Sequence, residues 1–114
     1  MEIKWVTLNS KKYLKFSFDE NLSEPDAVKA IEQWKKEFSK NQNSKVSLIW
    51  DCIKMKGYDS NARIHWQNAL KELKSDIDNI WLVSNSQLIR VGANVISVFA
   101  GLRINAVDSE DKIQ

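Results

Sequence analysis

Apolar and polar residues alternate over residues 3–8 and again over 13–18, where Leu14, Phe16 and Phe18 interleave with Lys15 and Ser17. A period of two puts one set of side chains on a buried sheet face, so both segments are predicted strands. The short polar link Asn9-Ser10-Lys11-Lys12 joins them as a hairpin. After Asn21 the period lengthens. Ser23-Glu24-Pro25-Asp26 offers an N-cap, a first-turn proline and an acid at the capping-box position, which together open a helix. Ala27, Ile31, Trp34 and Phe38 mark its buried stripe, and the polar run Asn41-Gln42-Asn43-Ser44 stops it near Lys40.

Residues 45–52 form the third predicted strand, with Val46, Leu48 and Trp50 on one face and Ile49 on the other. Apolar residues on both faces imply an interior position. A second helix over 60–74 carries Ala62, Trp66, Ala69, Leu70 and Leu73 at helical spacing, with Lys, Glu and Gln opposite. Ile80-Trp81-Leu82-Val83 is the compact run of a strand covered on both sides, and Ser84-Asn85-Ser86 caps a third helix. That helix, over 88–102, is apolar nearly all round, and Gly92 and Ala93 are small enough for close packing on a sheet. A short edge strand over 103–107 and a charged tail from Asp108 complete the chain.

The order β-β-α-β-α-β-α-β predicts an α/β fold: a mixed sheet of four or five strands, an N-terminal hairpin and about three helices in right-handed crossovers. Residues 46–52 and 80–83 are expected as interior parallel neighbours. With 114 residues and no repeat or linker, residues 1–114 read as one domain.

Composition narrows the function classes. The net charge of +2 comes from 17 basic and 15 acidic residues scattered along the chain, and no basic block interleaved with aromatics marks a nucleic-acid face. Cys52 is the single cysteine; it cannot form an internal bridge and reads as a small buried hydrophobe in a reducing compartment. The first residues lack a signal peptide's apolar core, and no apolar run reaches the ~18 residues of a membrane span. A soluble, cytoplasmic protein is expected.

Little catalytic chemistry survives inspection. His65 and Cys52 are each alone of their kind, whereas a metal site needs several converging ligands, so no metal and no cofactor is expected. Ser60 and His65 lie five positions apart on one helix, which rotates their side chains ~140° from each other. Asp51 at a strand end is where receiver domains hold a phosphorylated aspartate, but those sites need further acids at the end of strand one, and here that strand ends Thr7-Leu8-Asn9. Gly57, Gly92 and Gly101 are isolated and match no phosphate loop. The five tryptophans at 5, 34, 50, 66 and 81 fall in strands or on helix stripes and read as core. Asp59-Ser60 opens the second helix, where either side chain can serve as a cap. A phosphate on Ser60 would meet the free N–H groups of that helix end, with Asp59 opposing it.

Three features give the chain a resemblance to the STAS domains, and most closely to their SpoIIAA-like branch: the element order; VSLIWD followed by Asp59-Ser60; and the closing segment IDNIWLVSNSQLIRVGANVISVFAGLRINAVDS. The resemblance implies a non-enzymatic protein-interaction or regulatory module with Ser60 as the phosphate acceptor. Where the phosphorylated antagonists continue with a second Ser and Gly-Leu, this chain reads Asn61-Ala62-Arg63. The expected recognition edge is Asp51, Tyr58, Asp59, Ser60 and Arg63. Some SpoIIAA-like proteins are similar in outline to CRAL-TRIO lipid-binding modules. The alternative is therefore a small apolar or lipid-like ligand beneath the third helix, with Val91, Val95 and Val98 as the ligand face or as the interface of a homodimer.

Overall fold

Asn9 and Ser10 both adopt left-handed backbone, with φ of 53° and 65°. They close the two-residue turn between β1 (Glu2–Leu8) and β2 (Lys11–Ser17), which pair antiparallel from Leu8↔Lys11 to Glu2↔Ser17. Two positive φ values define the hairpin turn whose twist matches that of its strands. The computed structural model describes residues 1–41 and 43–114; Gln42, in the predicted polar loop, lies outside them. From β2 the sheet grows by parallel pairing to β4 (Val46–Asp51), β6 (Ile77–Val83) and β7 (Ile104–Val107), in the order β1-β2-β4-β6-β7. β4 and β6 are interior parallel neighbours, as their two-sided apolarity implies.

The crossovers are α1 (Glu24–Ser39), α2 (Ser60–Leu73) and α3 (Gln87–Ala100). Their buried residues join one core with Leu14, Phe16, Leu48, Trp50, Ile80 and Leu82 from a single face of the sheet. Trp34, Trp50 and Trp66 meet at its centre, with ring centroids 5.3 to 6.3 Å apart. Ser23 caps α1 by accepting from the Asp26 N–H at 3.2 Å, and Ser86 caps α3 by accepting from the Ile89 N–H at 3.3 Å. Gly101, at φ 68°, stops α3 two residues before the end the sequence pattern predicts.

Two features depart from that pattern. Asn21–Leu22 (β3) and Gly57–Tyr58 (β5) pair as a separate two-stranded parallel sheet, too short to leave a periodic signal. The charged tail is also not a free extension. It crosses the rear face of the main sheet and buries Ile113 against Tyr13, Ile49 and Val83.

Candidate functional site

The β3–β5 pair decides where the predicted recognition residues go. It carries the chain from the end of β4 to the start of α1, so that the Asp59 N–H donates to the Leu22 carbonyl at 2.9 Å. The Asp59 carboxylate then accepts from the Glu24 N–H at 3.1 Å. Asp59 thus sits at the N-cap position of α2 but caps α1, and α2 receives no side-chain cap bond. This corrects the expectation that Asp59 or Ser60 caps the second helix. An aspartate reaches either free helix end, and the short sheet brings the end of α1 closer.

The return link runs from α1 to α2. The Glu24 carboxylate lies 2.9 Å from His65 Nε2, so the half-buried histidine joins a polar cross-link between the two helices. No hydrogen bond joins Ser60 to His65 among the described residues, and Ser60 is exposed. Among the described residues no three His, Cys, Asp or Glu side chains gather as a metal-holding group.

Of the five residues of the predicted edge Asp51 lies apart, while Tyr58, Asp59, Ser60 and Arg63 share the start of α2, where the Arg63 N–H donates to the Asp59 carbonyl at 3.1 Å. Asp51 points to the rear of the sheet, where its carboxylate lies 3.7 Å from Lys15 Nζ and accepts from the Ile53 N–H at 3.2 Å. Tyr58 and Arg63 line a cavity beneath α3. Asp59 turns to α1, and Ser60 faces solvent. Strand alternation explains the split: Ile49 already faces the rear, and two residues on Asp51 must do the same. Cys52 faces the helical core, where burial and then the Asp51 charge push its thiol pKa far above the ordinary value.

The cavity has a volume of about 50 Å³ and is walled by Trp50, Trp66, Leu82, Ile89 and Ile96, with Arg63 the single charged residue in its lining. A water needs roughly 10–15 Å³ on this measure, so the space holds a few atoms. The Trp50 indole N–H is buried without an acceptor. Neither that orphan donor nor the cavity leaves a signal in the linear pattern.

The outer face of α3 is the largest departure from ordinary surface chemistry. Leu88, Val91, Val95, Val98 and Phe99 are 57%, 53%, 45%, 76% and 47% exposed, while Ile89, Ala93 and Ile96 fill the core. Five of the nine exposed large hydrophobic residues described lie on this one helix, which makes them a patch rather than scattered exceptions. The hairpin and the tail, which would otherwise be the covers, lie elsewhere: α3 packs against α2 and β7, and the tail occupies the rear face. The one charged residue of α3, Arg90, donates from Nε to the Ser84 carbonyl at 3.0 Å.

Comparison with known proteins adds the fold. No protein-family model matches the chain, and no curated protein matches it. Among solved structures, an uncharacterised protein of the DUF3478 family from Shewanella loihica PV-4, described as having a SpoIIAA-like fold, superposes with a TM-score of 0.79. That match has 11% sequence identity and covers 96% of this chain and 87% of the other. The chain therefore has the SpoIIAA-like fold, as its resemblance to STAS domains implies. No helix among the described residues is long and apolar enough to cross a membrane.

Proposed function

We propose that this chain is a non-enzymatic protein-interaction module whose contact surface is the outer face of α3, seated against a second copy of itself. The exposed seam is the observation that carries this reading. Leu88, Val91, Val95 and Val98 follow steps of three, four and three residues, the spacing with which one helix packs along another. Leu88, Val91, Val95 and Val98 carry no charge and Arg90 is held against Ser84, while the Lys71 ammonium sits 5.2 Å over the Phe99 ring at the edge of the face, so two copies would meet about a two-fold axis with this charge at the rim. Each fully buried aliphatic side chain contributes ~1.5–3 kcal/mol against an association cost of about 4–15 kcal/mol. These residues are 45% to 76% exposed, so each contributes only part of that range, and one valine alone falls short of the cost whereas five per copy together are comparable with it. Light scattering and native mass spectrometry on wild type and on Val91→Glu/Val98→Glu test the reading. A dimer lost in the double variant supports it, and a wild-type monomer unchanged in mass and solubility by the substitutions ends it.

A second reading, capture of a small apolar ligand, is favoured by the cavity under the same helix. Its lining is apolar, with Arg63 the single charged residue at its wall, a set suited to a small, wholly apolar molecule. A small-molecule mass carried by the monomer in the same spectra would support it. Ser60 remains the modification candidate because its side chain is exposed at the first position of α2. A phosphate there would face the Asp59 and Glu24 carboxylates across the α1–α2 junction. Equal partner affinity for wild type, phosphoserine and Ser60→Asp proteins would remove that switch.

A further inference from the structure

The main sheet has a second, smaller core on its rear face, and residues 109–114 cover it. Ile113, 2% exposed, is the plug between Tyr13, Ile49 and Val83. A single 3-10 turn over Glu110–Lys112 sets Glu110 three positions before this plug. Three polar anchors hold the strap, all from the β1–β2 hairpin. Lys15 Nζ lies 2.7 Å from the Glu110 carboxylate, Asn9 Nδ2 donates to the Ile113 carbonyl at 3.0 Å, and the Tyr13 hydroxyl donates to the Gln114 carbonyl at 3.3 Å. Among the described residues no backbone–backbone hydrogen bond ties the strap to the sheet; its own bonds, Lys112 N–H to Ser109 and Ile113 N–H to Glu110, are internal.

The face also holds polar groups that the strap does not use. Trp81 packs against the rear core, and its indole N–H is buried without an acceptor. Asn79, two residues earlier on the same side of β6, has a buried side-chain oxygen without a donor. Each is a buried polar group without a partner among the described residues, which is uncommon and costly. A peptide backbone carries the complementary pair, a carbonyl and an N–H, at every residue.

We propose that the rear face is a docking groove for a short partner peptide bearing an acidic residue three positions before an aliphatic one, and that residues 109–114 occupy it in cis until such a peptide displaces them. The strap shows what the groove recognises: the acid meets Lys15, the aliphatic side chain fills the Tyr13–Ile49–Val83 pit, and Asn9 and Tyr13 read carbonyls. A partner gains over the strap by also satisfying Trp81 and Asn79. Exchange is open to it because the strap is held by one plug and three side-chain anchors, whereas its tethering supplies a high effective local concentration that an incoming peptide must overcome.

The test uses the full chain with Ile113→Asp, which releases the plug, and the capped hexapeptide Ser-Glu-Asp-Lys-Ile-Gln as probe. The expected result is binding to the released variant at least tenfold tighter than to wild type, with NMR shifts at the Lys15, Ile49 and Trp81 amides and at the Trp81 indole. Peptides with Lys in place of Glu, or Asp in place of Ile, should not bind. A folded released variant that takes no peptide, or one perturbed only elsewhere, overturns the proposal. Should Ile113→Asp fail to fold, hydrogen exchange on wild type decides instead. The Ile113 amide must exchange through a local opening far faster than the amides of Tyr13 and Ile49, and equal protection overturns the proposal.

Discussion

The Tyr58 hydroxyl lies against the Gly92 backbone in the space a side chain at position 92 would occupy: a Cβ there would meet that hydroxyl and, at 3.0 Å, the ring carbon bearing it. The contact pins the β3–β5 sheet to α3, and through Asp59 the same sheet is tied to the start of α1. One small ribbon therefore couples the N-terminus of α1, the N-terminus of α2 and the middle of α3. The glycine is required by an aromatic side chain from β5, not by the main sheet beneath the helix.

Gly92→Ala should accordingly destabilise the fold by ~1–3 kcal/mol, the range for forcing extra volume into a packed site. Tyr58→Phe removes the nearest atom, so the cost of Gly92→Ala should fall in that background. Urea unfolding of the four proteins in a double-mutant cycle measures the coupling. Identical costs with and without the hydroxyl would show that the two residues do not compete for this space.

Asp59 and Ser60 should separate cleanly. Asp59→Ala removes the carboxylate that caps α1 and should cost about 0.5–2 kcal/mol, with faster hydrogen exchange at the Glu24 amide. Ser60→Ala, on an exposed side chain, should stay within about 0.5 kcal/mol of wild type. The opposite ranking would mean that Ser60, not Asp59, holds a helix end.

These two residues also show where reading the sequence reaches its limit. The hairpin strands and the first two helices were legible because each has a period of 2 or 3.6 sustained over several residues, and the interior places of β4 and β6 because apolar residues occupy both of their faces. The cap at Asp59 was legible as a cap, but its recipient, 35 residues away, was not, since that depends on pairing between the two-residue segments β3 and β5. The uncovered seam on α3 could be read from apolarity on every side of one helix. The burial of Ile113 could not, because one isoleucine among Glu, Asp, Lys and Gln has no period and finds its place only once the rear of the sheet exists.

Acid should weaken the contact between β1 and α1. The Trp5 indole N–H donates to the Glu37 carboxylate at 2.8 Å, and this bond, aided by Lys40 and Lys36, holds the Glu37 pKa below the ordinary glutamate value of 4.5. A folded-state pKa lower than the unfolded one contributes stability that is fully present above the unfolded value and lost as pH falls through the folded value. The stability difference between wild type and Glu37→Gln, whose amide oxygen still accepts from Trp5, should be largest near neutrality and shrink below pH 4.5. A difference constant from neutral to acidic pH would show that the carboxylate charge contributes nothing.

Trp66 is the sharpest probe of the core and the cavity together. Its ring lies 5.7 Å from Phe16, 5.4 Å from Phe18, 5.3 Å from Trp34 and 5.9 Å from Trp50, and it walls the space under α3. Truncation to alanine removes all four contacts and joins the vacated volume to the existing cavity. The cost should be ~3–5 kcal/mol, a large share of the 5–15 kcal/mol typical of a domain, while Trp66→Phe, which keeps an aromatic edge at the centre of the cluster, should cost less. Apolar voids of this kind stay dry and accept benzene. Benzene should therefore raise the urea midpoint of Trp66→Ala and leave wild type unmoved, because about 50 Å³ is too little for the ring. A midpoint raised equally in both proteins would mean that α3 already opens over a larger space, which favours ligand capture over a dimer seam. No rescue of Trp66→Ala would mean that α3 settles into the gap, and the helix would then be too loosely seated to present a fixed contact surface.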